Sequence, residues 1–570
     1  MSKNSYYMDY PVQPDNPSDE ERHFLAKYAL KEVQRLDDFE YIKKVTSPPA
    51  DITTIIKPGG LKGCNIGVIG GGLAGMSAAF ELRKLGCNIT VFDAQERIGG
   101  RVYTYYFDDD KRYYAEMGAA RIPVTHETTW HYLNLFKLST LPFVQYNKNT
   151  FLYLRGVRVR NDPDGINAQK YIYPKYNLTA YERSLSYSQL LNYGLNKSLY
   201  YMSPEVRAEI MQVLYNYNPQ ILEMDYNSIR NTADAAGLSP DALNLLINFI
   251  VSIATNLFAG FVDYIQEQYS ADFSYLYQLR GGNVNLPMAF YKSLLQENPL
   301  EYSNISPSNI GRVTWKSSNC ITGITLDSTD GKPVLQYKSL KKQSSHTEKF
   351  DYVICAIPFS TLRNVNIDPL FSSVKMQAIY EVNYTPTQKT VLLCSNRFWE
   401  KGGPNEQIFG GISYTDLPAA QLLYPSYHLN SNGSGCTSKS NKHDNNCGVL
   451  TAYNFNLNSV RLANMPEKER IESLKREVEK VHGLPIHYMD KIVKGYKTID
   501  WNTEPWFRGG LCLYTPQQKR LYSYASVCPE YNRRIFFAGE HISAKHRWIQ
   551  GALKSGMEAA NQIALTATLK

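Results

Sequence analysis

Nowhere in the 570 residues does an unbroken apolar stretch reach the roughly 18 residues a helix needs to cross a bilayer, so no membrane span is expected. The opening residues, MSKNSYYMDYPVQPDNPSDEERHF, are polar and acidic and lack the apolar centre of a secretion signal. No signal peptide is visible, and a cytoplasmic location and secretion after processing both stay open. No block of Lys and Arg stands out, and a net charge of +8 is small for this length, which argues against a nucleic-acid partner. Nine cysteines include no CxxC pair, so no thiolate metal site is expected. Cys64, Cys87, Cys355 and Cys394 sit in apolar, strand-like runs and read as buried free thiols. Cys436 and Cys447 flank a polar loop and would pair only in an oxidising compartment. No internal repeat is present.

A chain this long exceeds one ordinary core, so two or three domains are expected. Hydrophobic content of 43 % against 20 % charged residues is that of a globular protein. The 44 tyrosines would line pockets well, or reflect compositional drift. Ser18 to Glu21 opens a segment to about Leu36 that reads as a capped amphipathic helix, with Phe24, Leu25, Tyr28, Val33 and Leu36 at helical spacing. Residues 65–85 read as strand, glycine-rich turn and helix, and 88–92 as a second strand. The pattern is mainly helical from about Pro174 to Tyr275, where SPEVRAEIMQVLY and SPDALNLLINFIVSIATNLF each open with a Ser-Pro N-cap pair. The apolar run 242–258 suits a buried helix. Strand patterns return over 314–358, ending in an apolar run suited to a central parallel strand. Residues 376–460 are strand-rich around a polar insertion at 429–447, and 534–565 read as strand, loop and helix.

Gly70, Gly72 and Gly75 form GxGxxG directly after the first strand and opening the helix. The first glycine permits the turn, the second lets a pyrophosphate approach the backbone, and the third lets helix and strand pack closely. The helix N-terminus then offers free N–H groups to phosphate. Asp93 ends the second strand 18 residues after Gly75, where a carboxylate accepts ribose hydroxyls. Together these indicate dinucleotide binding. Arg97-Ile-Gly99-Gly100-Arg101 suits a loop around a diphosphate, with Arg101 neutralising it.

That run resembles the RxGGR extension of the flavin amine-oxidase superfamily. Phe536-Phe-Ala-Gly539-Glu540-His541 is similar to its AGE(H/Y) segment, Arg280-Gly281-Gly282-Asn-Val-Asn-Leu286-Pro287 to its GGM-x-x-LP turn, and Gly311-Arg-Val313 to the place where a valine backbone pairs with adenine. The resemblance covers about 65–570. It implies FAD as cofactor, held by Gly70, Gly72, Leu73, Ala74, Gly75, Asp93, Ala94, Arg101, Gly118, Ala119, Ala120, Arg121, Val313, Glu540, Trp548, Ile549, Gln550 and Ala552.

Within the superfamily, Glu116-Met-Gly118-Ala119-Ala120-Arg121-Ile-Pro123 resembles the G-x-x-R-x-P run of L-amino-acid oxidases, whose arginine grips the substrate carboxylate in two prongs. Tyr453 falls where the family tyrosine bonds the same carboxylate. Trp548 falls where an aromatic faces the substrate, and Lys389 where a lysine holds a water against the flavin and assists reaction with oxygen. Leu511 matches a position lining the side-chain pocket, which suits apolar substrates, whereas Glu267 or Asp272 would suit a basic one unless they face solvent. Two departures stand out. The stretch 264–272 lacks the histidine proposed as base or gate in some relatives, and Arg547 sits beside Trp548 where many relatives carry a smaller residue, altering the pocket or its entry. His126, His541 and His546 lie near these motifs and read as structural.

The expected fold is α/β: a doubly wound, Rossmann-like FAD domain (61–110, 276–375 and 525–570), a mixed-sheet substrate domain (111–165 and 376–524), a helical domain (166–275) and an N-terminal arm (1–60). The implied reaction converts L-amino acids and oxygen to 2-oxo acids, ammonia and hydrogen peroxide. A monoamine or polyamine oxidase, an amino-acid 2-monooxygenase and a non-enzymatic FAD-binding protein are the alternatives. A homodimer is left open, and no metal is expected.

Overall fold

The computed structural model describes residues 11–162, 164–249, 256–428 and 447–569. Its centre is a five-stranded, all-parallel sheet ordered Arg312–Lys316, Asn88–Phe92, Asn65–Ile69, Tyr352–Cys355 and Ile535–Phe537. The middle strands are apolar because both their faces are covered; every residue of Tyr352–Cys355 is buried. Strands distant in sequence therefore meet side by side, with Ile66 opposite Tyr352 and Val353 opposite Ile535. The helix Leu73–Lys84 packs against Ile549–Thr568, whose Gly556 lies where a Cβ would strike Ala74 O and Ser77 Oγ. Ser77 Oγ donates to Leu553 O at 2.9 Å across that contact.

A second, seven-stranded sheet is mixed. Its strand Thr387–Cys394 runs antiparallel between Gly448–Phe455 and Val493–Asp500, and the sheet continues through Gln421–Leu423 and Ile412–Thr415 to the hairpin Phe151–Leu154 with Val157–Arg160. Lys389 and Tyr453 are direct cross-strand partners in it. A four-stranded sheet containing Asn319–Leu326 and Pro333–Ser339 covers the parallel sheet, placing Leu335 and Phe350 against Gly67.

Short helices dominate the described residues of 166–275, and their ends follow the sequence. Ser203 and Ser239 cap helices that begin at Pro204 and Pro240, and Thr179 with Glu182 forms a capping box. These helices are shorter than the apolar patterns suggest. Pro204–Ala208 passes into a single tight turn and stops at Gln212, which is extended, and Pro240–Leu246 precedes residues 250–255, outside the described set.

The N-terminal helix Asp19–Glu32 carries the expected box between Ser18 and Glu21, but buries a different face. Arg22, Leu25, Ala26, Ala29 and Leu30 are inside, whereas Phe24 is 59 % exposed. The buried Arg22 sets this rotation, binding Glu127 at 3.0 Å and donating to Val124 O at 2.7 Å. Cys87, Cys355 and Cys394 are buried free thiols, Cys64 is half-buried, and Cys436 lies outside the described residues. Among the described residues no helix is long and apolar enough to cross a membrane.

Candidate active site

A cavity of about 370 Å³ is lined both by the ends of the parallel strands and by the mixed sheet. Its outer wall is Gly70 to Ala74, Asp93 to Gln95 and Gly99 to Val102. Gly70 turns with φ +102°, and a Cβ on Gly75 would run into Gly70 O, so strand and helix need glycine at both positions. A Cβ on Gly72 would meet nothing within 4 Å, which leaves the helix N-terminus open to a ligand. Asp93 receives the N–H groups of Gly71 at 3.0 Å and Gln95 at 2.8 Å; burial outweighs them and lifts its carboxyl to about 6.

Arg101 and Glu540 close the middle of the cavity, paired at 2.8 Å. Burial disfavours the Glu540 carboxylate, but Arg101, His546 and His541 together with the Arg547 N–H (2.8 Å) hold it at about 2. Gly118 packs so closely under Arg101 O that no Cβ would fit.

The inner end holds Arg121, Lys389, Tyr453, Leu511, Glu267, Arg547 and Trp548. Arg121 is 8 % exposed. Its Nε donates to Gln145 at 2.9 Å, its guanidinium lies 5.1 Å from the Phe143 ring, and its Nη2 has no partner among the described residues. Lys389 Nζ lies 4.4 Å from the Tyr453 ring and donates to the carbonyls of Gly118 (2.6 Å) and Glu116 (3.0 Å). In the ammonium form a third donor remains for a ligand or water in the cavity, whereas in the neutral form both N–H groups are spent on the two carbonyls. Burial, followed by the Arg121 charge, pushes Lys389 well below the usual lysine range, while burial pushes Glu116 up. Trp548 Nε1 donates to Glu267 Oε1 at 2.9 Å, with the His126 ring edge-on at 5.0 Å and Phe273 at 5.6 Å. Arg547 adopts φ +74°, a left-handed conformation costing a non-glycine residue about 1–3 kcal/mol.

Most sequence-derived positions thus meet in one cavity: Gly70, Gly72, Leu73, Ala74, Asp93, Ala94, Arg101, Gly118, Ala119, Ala120, Arg121, Lys389, Tyr453, Leu511, Glu540, Arg547, Trp548, Ile549 and Ala552 all line it. Gly75 supports the turn from behind. Val313 pairs with Ile89 in the parallel sheet, outside the lining; the next turn and strand reach the cavity instead, through Asn319 to Thr322. The Gln550 side chain points away, donating to Thr46 O at 2.6 Å and Thr128 Oγ1 at 3.1 Å. Asp272 is fully buried outside the lining, occupied by Lys545, Ser270 and His126, whereas Glu267 is on the wall and 2 % exposed. Neither acid faces solvent. His126 and His546 are held by Asp272 and Asp263. The lining by Phe273, Phe455 and Asn319 to Thr322 carries no motif and is visible only in the fold.

A family model described as flavin containing amine oxidoreductase matches residues 73–564. The chain belongs to that family. Its relatives include an L-amino-acid oxidase from Sistrurus catenatus edwardsii, 26 % identical over 506 residues (87 % of this chain, 86 % of that protein), and one from Siganus canaliculatus, 27 % identical over 504 residues (87 % and 84 %). Similar solved structures are putrescine oxidase bound to putrescine (TM-score 0.65, 15 % identity, 88 % of this chain and 98 % of that one) and cyclohexylamine oxidase from Brevibacterium oxydans (TM-score 0.62, 15 %, 89 % and 99 %). At that identity they establish the fold, which is that of the flavin amine oxidases. As a member of the family the chain is an amine oxidoreductase with a flavin cofactor. The open helix N-terminus at Gly72, the glycine cradle at Gly118 and the lining of the cavity by Asp93 and Arg101 fit such a cofactor.

Proposed function

We propose that this flavin amine oxidoreductase uses FAD to oxidise L-amino acids, giving 2-oxo acids, ammonia and hydrogen peroxide. The observation that carries this reading is Arg121: a buried guanidinium on the cavity wall, fixed through Nε, with Nη2 lacking a partner among the described residues and Tyr453 lining the same wall. A buried, unsatisfied cationic donor is costly, and a substrate carboxylate relieves it. A simple amine brings no such group.

Asp93 at the end of its strand suits the ribose of a dinucleotide, which favours FAD over a mononucleotide flavin. FAD, when bound, supplies the electron-accepting chemistry and its turnover with oxygen. The protein's own residues bind and orient. Arg121 and the Tyr453 hydroxyl hold the α-carboxylate, and Trp548, fixed by its bond to Glu267, limits where the rest of the substrate lies. The buried, aromatic surroundings favour the neutral amine, the form that can be oxidised. As an ammonium, Lys389 keeps one donor for a water or oxygen species.

An amine oxidase acting on cationic substrates is the second reading, favoured by Glu267 Oε2, which has no partner among the described residues. Anaerobic addition of L-amino acids and of amines to the yellow holoenzyme separates the two. Bleaching by L-amino acids supports the first reading; bleaching by amines alone refutes it.

A further inference from the structure

Carboxylate binding at Arg121 leaves a second charged surface in the cavity unexplained. Arg547, its side chain 5 % exposed, lines the wall next to Trp548. Nη2 donates to Asp263 O and lies 3.5 Å from Glu267 Oε1, but Nε and Nη1 have no partner among the described residues. Glu267 mirrors this: Oε1 takes the Trp548 indole at 2.9 Å, and Oε2 has no partner among the described residues. A guanidinium stays charged under all working conditions, so its buried donors call for acceptors rather than for deprotonation.

At this end of the cavity three basic side chains, Arg121, Arg547 and Lys389, stand against one acid, Glu267, and Lys389 is already bonded to the Gly118 and Glu116 carbonyls. An amino acid with an apolar side chain brings one carboxylate and one amine. It would leave the Arg547 donors dry and unpaired. A basic side chain would bring a further cation to a wall where basic groups already outnumber acids. The complementary ligand has two oxygen-acceptor groups and one amine.

Resting on the amino-acid-oxidase reading above, we propose that Arg547 determines specificity, and that the preferred substrate is an L-amino acid whose side chain ends in a carboxylate or carboxamide bound by Arg547. Glu267 then takes the amino group. The shared chemistry is a carbonyl-type oxygen at the end of a short side chain, and comparing L-glutamate with L-glutamine distinguishes its charged from its neutral form.

The test is steady-state kcat/KM of the holoenzyme, by peroxide release, for L-glutamate, L-glutamine, L-aspartate, L-leucine, L-phenylalanine, L-lysine and L-arginine. The expected result is a preference for L-glutamate or L-glutamine over L-leucine and L-lysine on the order of a hundredfold or more, since a site built to hydrogen-bond a polar group strongly rejects substrates lacking it. A preference for apolar or basic amino acids overturns the proposal while leaving the amino-acid-oxidase reading intact. Turnover of amines with no amino acid turned over overturns both. In Arg547→Met the ratio of L-glutamate to L-leucine should fall at least about tenfold, mainly through KM, with the flavin spectrum retained. If the ratio is unchanged, or if Arg547→Met emerges flavin-free while Arg547→Lys keeps flavin and the wild-type ratio, the side chain serves the cofactor and the proposal fails.

Discussion

Replacing Arg121 with methionine removes the group on which the assignment to amino acids depends. Methionine fills a similar volume against Phe143, which sits 5.1 Å from the guanidinium, so the change is chiefly one of charge and hydrogen bonding. Hydrogen bonds between charged partners are worth about 1.5–3 kcal/mol each, and a two-pronged contact loses two, or about 3–6 kcal/mol. At about 1.4 kcal/mol per factor of ten, kcat/KM for the best L-amino acid should fall by about 10²–10⁴. Arg121→Lys keeps the charge but not the planar fork, and should fall between the two. The assay is peroxide-coupled turnover, with the visible flavin spectrum and a thermal melt confirming that each variant is folded and loaded. A fully loaded Arg121→Met enzyme whose kcat/KM stays within about threefold of wild type would refute the reasoning.

The glycine turn makes a paired prediction. Gly72→Ala should fold with a melting temperature close to wild type yet bind flavin more weakly, because its methyl points into open space, whereas Gly75→Ala should lose thermal stability outright, because its methyl strikes Gly70 O. Fluorescence titration of the apoprotein with FAD and a thermal melt distinguish them. Lys389→Met should slow oxidation of the reduced enzyme by oxygen in stopped-flow, and should abolish an ionisation lying well below the usual lysine range from that step's pH profile; since Lys389 and Glu116 titrate as a pair, the profile reports both. Glu540 has a folded pKa of about 2 against 4.5 for the free group, so the stability it contributes is fully present above about 4.5 and is lost as pH falls toward 2. Glu540→Gln should therefore flatten the acid limb of a stability–pH curve by up to about 1.4 kcal/mol per pH unit; an unchanged slope in denaturant titrations would contradict the assignment.

What could be read in advance was what is local in the chain. The turn at Gly70 to Gly75, the strand leading into Asp93 and the cap at Ser18 each depend on a few consecutive residues. Arg121, Tyr453, Lys389 and Trp548 were found by resemblance, and the fold gathers them into one cavity. Their mutual geometry was not legible, because it depends on register: Lys389 meets Tyr453 only because their strands pair antiparallel at that offset. The two acids at 267 and 272 looked alike in sequence, yet a lysine far downstream occupies Asp272 while Glu267 Oε2 has no partner among the described residues. The N-terminal helix turns a different face inward than its hydrophobic spacing suggests, because spacing gives no weight to an arginine and Arg22 is the residue that anchors it.

The most direct test of the central claim is a peroxide-release screen of the FAD-loaded enzyme against the twenty L-amino acids, their D-forms and a set of simple amines including putrescine. Peroxide is expected with L-amino acids, with ammonia and a 2-oxo acid formed in equal amounts, and little with D-forms or amines. Peroxide from amines alone, or an amide in place of the 2-oxo acid, would contradict it.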